Sequence, residues 1–183
     1  MKRLASKPLL AGGSPLHLVS ALNLLLAATA AHGETVVTVA TISLEAAQKA
    51  AAESLRKCQA DGYRISVTVV DRSGTSVVTA RADGAGPHTL DSSRRKAYSA
   101  VSLRESTRKL AEIQAGSPEL RALGNMNESI LLLAGGFPIR IGGEIVGGIG
   151  VGGAPGGPLD EACARAGLRA IGADAYENGV DNP

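Results

Sequence analysis

The sequence predicts an α/β protein of the α+β type, with a central antiparallel sheet of about five strands flanked by helices. The N- and C-terminal helices are expected on one face. Three observations carry this. The periodic segments run helix, hairpin, helices, hairpin, helix. The strands come in pairs across turn signals, not one-for-one with helices, which disfavours a doubly wound parallel sheet. Glycine, 23 of 183 residues, is concentrated between Gly135 and Gly157, where the second hairpin falls.

The first helix spans 44–60. Ser43 is a good N-cap, and Leu44, Ala47, Ala51, Leu55 and Cys58 recur at helical spacing. Gly62 can end it. Arg64 to Val70 alternates with Ile65, Val67 and Val69 on one side, a strand. Asp71-Arg72-Ser73-Gly74 is a turn, and Thr75 to Arg81 returns as the second strand of a hairpin. Ala82 to Pro87 is a loop. Leu90 to Leu103 and Thr107 to Gln114 read as helices, and Ser117-Pro118 opens a further turn. Ser129 to Leu133 is an apolar run that Gly135-Gly136 breaks. Phe137–Ile141 and Glu144–Val151 pair across Gly142-Gly143, and Asp160 to Ala175 closes the chain as a helix.

Residues 1–30 are expected to be a secretory signal peptide. Lys2 and Arg3 form its positive start, Leu16 to Ala30 its apolar stretch, and Ala28-Thr29-Ala30 a small-residue cleavage pattern. A flexible 31–40, a single domain over 41–176 and a tail at 177–183 complete the organisation. The product is expected to be exported, periplasmic or extracellular, with no membrane contact after cleavage. The net charge of +2 comes from that leader. Without its three cations, 16 basic and 17 acidic residues remain. A near-neutral chain with no Trp, one Phe and three Tyr lacks both the basic footprint and the stacking platforms of a nucleic-acid partner.

Only Cys58 and Cys163 are present, with no C-x-x-C, so neither a zinc ribbon nor a redox motif is supported. In an oxidising compartment they can form a disulfide; otherwise they are two buried apolar thiols. Gly148-Ile149-Gly150-Val151-Gly152-Gly153 matches a dinucleotide fingerprint by letter. It lacks the following βαβ unit, so it reads as a buried strand whose glycines admit another backbone. His88 is the one histidine inside the domain, which excludes a two- or three-histidine metal site within one subunit. A single imidazole can still be an axial ligand of haem iron. Arg94, Arg95 and Lys96 follow within two turns and could pair with carboxylates.

Several segments together resemble one family. They are Ser66-Val67-Thr68-Val69-Val70-Asp71-x-x-Gly74, Arg81-x-Asp83-Gly84-Ala85 and Arg95-Lys96-Ala97-Tyr98-Ser99-Ala100. Gly135-Gly136-x-Pro138-Ile139, the run Ile145 to Val151, and Asp160-Glu161-x-Cys163-Ala164 complete the set. It is similar to the GlcG/HbpS-like haem-binding family, which also supplies the C-terminal domain of PduO-type cobalamin adenosyltransferases. The adenosyltransferase activity belongs to another domain of those proteins and is not carried over. The resemblance covers about 41–176 and implies a profilin-like or roadblock-like domain, symmetric homo-oligomers, often octamers, and haem as the suspected cofactor. His88 is the expected iron ligand, and His88, Thr89, Arg94, Arg95, Lys96, Tyr98 and Ser99 form the candidate cofactor-binding set. The expected function is an exported oligomeric binding protein for haem or a related tetrapyrrole, linked to haem or iron sensing or oxidative stress. The alternatives are an accessory protein or enzyme for a small organic acid of glycolate type, and a structural oligomer without small ligand.

Overall fold

A computed structural model describes residues 36–174, of which Val39 onward forms one compact body. The expected signal peptide and C-terminal tail lie outside the described residues. The elements are α1 (Leu44–Ala60), β1 (Ser66–Asp71), β2 (Ser76–Arg81), α2 (His88–Leu103), α3 (Thr107–Gly116), β3 (Gly136–Ile141), β4 (Glu144–Gly152) and α4 (Gly157–Ala170). Two short 3₁₀ turns, Pro118–Leu120 and Leu123–Asn125, follow α3.

The sheet is antiparallel and has four strands, in the order β2-β1-β4-β3. The expectation of about five is thereby corrected. Ser129–Leu133 is apolar but takes no place in the sheet. Its bonds go to helices instead: Arg95 Nη2 donates to Ile130 O at 2.7 Å, and Leu131 N–H donates to Ser99 Oγ at 2.7 Å. Two helix bounds also move. α2 begins at His88 rather than Leu90, because Thr89 N–H already donates to Gly86 O. α4 runs Gly157–Ala170 instead of 160–175, with Pro158 in its first turn.

α1 and α4 pack together on one side of the sheet, as the element order predicts, and α2 covers the other. Strand alternation decides what each side is made of. Toward α1 and α4, the central strands present Val67, Val69, Ile149 and Val151, all fully buried. Toward α2 they present Ser66, Thr68, Gly148, Gly150 and Gly152. Cys58 of α1 and Cys163 of α4 are joined in a disulfide with their Cα atoms 5.5 Å apart, both fully buried. Gly167 lets these two helices touch, since a Cβ there would stand 2.5 Å from Ala50 O.

Candidate functional site

α2 carries every residue of the sequence-predicted set, and the structure distributes them around and along it. His88 is its first residue, exposed, with the ring lying against Gly86; a Cβ on that glycine would meet His88 Cε1 at 2.5 Å. Thr89 is buried. Its hydroxyl donates to Gly86 O at 2.6 Å and lies 2.7 Å from Ser66 Oγ, which fixes the turn that presents His88. Thr89 therefore supports the loop and does not face solvent.

The three adjacent cations diverge, as a 100° step per residue requires. Arg94 bonds Ser129 Oγ at 3.2 Å and Asp91 Oδ1 at 3.0 Å. Arg95 reaches Ile130 O and stands 3.8 Å from Asp91 Oδ2. Lys96 points inward, where its ammonium donates to Asp160 Oδ2 at 2.8 Å and Val151 O at 2.9 Å. Both side chains of that pair are 5% exposed. Asp160 Oδ1 also accepts from Ala154 N–H at 3.0 Å. Burial raises the Asp160 carboxyl above its ordinary value, opposed by the Lys96 charge and the two hydrogen bonds. Lys96 thus ties α2 to β4 and the start of α4.

Ser99 is also internal, donating to Arg95 O at 2.7 Å and accepting from Leu131 N–H. Tyr98 lies ten residues, or ~15 Å, along α2 from His88. Its ring covers Gly74 beside a cleft of about 210 Å³ lined by Arg72, Ser73, Arg104 and Ile145. The structure therefore brings His88, Asp91 and Arg95 to one side of α2 and separates Tyr98 from them. His88 and Arg95, seven residues apart, are ~10 Å from each other along the axis.

A second cluster lies between α3 and α4, and sequence reasoning about α2 missed it. A cleft of about 390 Å³ is lined by Ser106, Arg108, Lys109, Glu112, Pro158, Glu161, Ala162 and Arg165. Arg108 grips the buried carboxylate of Glu161 with both arms of its guanidinium, Nε to Oε1 at 3.0 Å and Nη2 to Oε2. The Arg165 guanidinium carbon sits 4.6 Å from the centroid of Phe137. Its pKa is lowered, first by burial and then by the charges of Arg108 and Arg169. Cations forced together at a cleft attract an anion. The available signal was Arg108-Lys109 near a helix start and Arg165 one turn after Glu161, two segments joined only by folding.

Among the described residues, no group of three or more His, Cys, Asp or Glu could hold a bare metal ion, and no helix is long and apolar enough to cross a membrane.

Residues 42–169 match the family model described as "Haem degrading protein HbpS-like". A crystal structure of HbpS is 45% identical, covers 78% of this chain and 99% of its own, and superposes with a TM-score of 0.72. A double mutant of HbpS from Streptomyces reticuli is 38% identical over 92% of this chain and 99% of its own, with the same TM-score. A PduOC protein crystallised as its heme complex shares the fold at 23% identity and a TM-score of 0.69, covering 75% of this chain and 99% of its own.

Proposed function

This chain belongs to the HbpS-like family, and from that premise we propose that it is an exported, oligomeric binding protein for haem or a related tetrapyrrole. The observation that carries the reading is a single exposed imidazole held at the start of α2 by a buried hydroxyl pair, in a chain of a haem-related family. The heme complex of the PduOC protein supports the ligand class on the same fold.

The residues fit haem in part. The His88 imidazole is accessible and suits an axial iron ligand. Leu90, two residues on, is 38% exposed and can lie against a porphyrin edge. Arg95 is at a reach suited to a propionate, but Asp91 stands between the two and already attracts it. Bound haem would supply iron for ligand or redox chemistry. The chain's own part is to hold the imidazole in place, through Thr89, and to offer a guanidinium to one carboxylate.

A haemin titration followed by absorbance tests this, comparing wild type with His88→Ala. A saturating Soret shift that His88→Ala abolishes is the expected result. No saturable shift refutes haem binding, and a shift untouched by the substitution removes His88 as ligand. Following the band over time with a reductant separates binding from the degradation that the family's description names. A band that forms and holds is binding alone.

The export reading is supported by the charged start, apolar stretch and Ala28-Thr29-Ala30 of the leader. The buried Cys58–Cys163 disulfide supports it independently, since such bonds persist in oxidising compartments. N-terminal sequencing of the exported chain is expected to begin near Ala31.

The cleft between α3 and α4 favours a second reading, a seat for a small organic acid held by Arg108, Lys109 and Arg165. Thermal stabilisation by short carboxylates that Arg165→Met removes, without haem, is its test.

A further inference from the structure

Among the described residues, the outer edge of β2 and the stretch Val36–Ala40 ahead of α1 both lack hydrogen-bond partners, and their chemistry matches. Inward and outward hydrogen bonding alternates along an antiparallel pair. Ala82 N–H donates to Ile65 O, so Val67 with Ala80 and Val69 with Val78 take the inward bonds. Thr79 and Arg81 consequently turn their backbone N–H and C=O groups outward. Among the described residues, no other backbone or side chain meets those groups. The opposite edge is closed. In β3, Pro138 has no N–H, Gly136 N–H donates to Thr107 Oγ1 at 3.0 Å, and Arg140 O accepts from Asp174 N–H at 2.9 Å.

Val36–Ala40 reads Val-Val-Thr-Val-Ala, four β-branched residues in five, with no charge. Val36 is 86% exposed, Val37 80% and Val39 56%. Three valines in water within five residues are unusual for a globular surface and mark a contact. The chain is first held at Thr41 and Ile42: Ile42 N–H donates to Val146 O at 2.8 Å, and Arg72 N–H donates to Thr41 Oγ1 at 3.4 Å. That anchor is on β4, and β1 lies between β4 and β2. The chain's own open edge is two strands away, ~10 Å across the sheet.

We propose that Val36–Ala40 adds as a strand to the β2 edge of a second copy of this chain, giving each sheet a fifth strand. Arm and edge occur once on each chain, so a reciprocal exchange about a two-fold axis satisfies both at once. Five extended residues span ~17 Å, close to the length of the six-residue β2. Of the edge's exposed side chains, Ser76 and Thr79 are uncharged like the arm, and Arg81 at the end of the strand carries the one charge. This pairing deepens the oligomer reading and is independent of haem.

The test is the full chain carrying both Val37→Cys and Thr79→Cys, oxidised at low concentration. Products are read by non-reducing electrophoresis beside the mass in solution. Cys58 and Cys163 are bonded to each other and buried, so the introduced thiols are the reactive pair. Covalently joined chains that require both cysteines are the expected result, together with a loss of assembly mass in Val37→Asp. Thiols consumed in a chain that still runs as a monomer would place the arm on its own sheet and overturn the proposal. Thiols that stay free in an oligomer overturn it while leaving the oligomer reading intact. A monomeric mass for the wild type overturns both.

Discussion

The two faces of this sheet are built on opposite principles. Toward α1 and α4 it is a conventional apolar core: valines and isoleucines from the strands, alanines from the helices, and a disulfide between them. Toward α2 the apolar part is a small cluster, Val70 with Ala97, Val101 and Ile145, and hydroxyls, glycines and an ion pair make up the rest. Thr68 Oγ1 lies 2.9 Å from Ser93 Oγ and 3.2 Å from Thr79 Oγ1, Ser66 pairs with Thr89, and Lys96 is bonded to Asp160. Glycines on β4 leave room for α2 to rest on the strand backbone itself. The lesson is that a helix can be seated by close approach and satisfied polar groups instead of by apolar bulk. Such a seat tolerates change poorly, because buried polar groups and backbone contacts cannot yield.

The sharpest way to break the contrast is Gly150→Ala. The new methyl would stand 2.5 Å from Ala97 N and closer to Ser93 O, both backbone atoms of α2. The expected loss exceeds about 4 kcal/mol, read by denaturant unfolding. That is much of the margin of an ordinary domain, so reduced expression should accompany it. A loss under ~1 kcal/mol would mean that α2 is not seated on glycine.

Lys96→Met comes next. It leaves Asp160 buried without its cation and should cost about 3–5 kcal/mol. Replacing both, Lys96→Met with Asp160→Leu, should recover most of the loss, whereas an additive loss would show that the pair contributes more than it costs to bury. On the apolar face, Cys58→Ala with Cys163→Ala should cost about 4–5 kcal/mol, since the bond closes a separation of 105 residues. Thermal unfolding with and without reductant checks this without mutation.

A smaller effect concerns pH. Burial raises the folded carboxyl of Asp160 above its unfolded value. Between those two values the folded chain holds a proton that the unfolded chain releases, so this group's contribution to stability falls as pH rises through that window. The stability of wild type relative to Asp160→Asn should therefore decline from acid pH upward, levelling once the folded group has ionised. A difference that grows with pH would reverse the assignment. The smallest effect is expected at Gly116, the last residue of α3, where a Cβ meets nothing within 4 Å. Gly116→Ala should change stability by less than about 0.5 kcal/mol. Two glycine-to-alanine substitutions differing this widely would isolate close approach as the cause.

Much of this architecture was legible in the chain. Ser43 caps α1, and its side chain accepts from Ala46 N–H as the N-cap reading requires. Both hairpins fall where the turn signals place them, and the glycine run of β4 admits a backbone, as argued against a dinucleotide site. The site was less legible. Arg94, Arg95 and Lys96 are consecutive letters, but one helical step of rotation sends Lys96 into the interior while its neighbours stay at the rim. Nothing in the triplet says which of the three is buried; that depends on Asp160, 64 residues away.

The sequence by itself determined the element order, the antiparallel pairing and the family, because these rest on local periodicity, turn chemistry and ordered motifs. Only the tertiary structure decided that the sheet stops at four strands, that Cys58 meets Cys163, and that Lys96 serves the fold. It also assembled the cationic cleft from α3 and α4. Each of those depends on which distant segments share a surface, and a one-dimensional pattern of spacing carries no record of long-range contact.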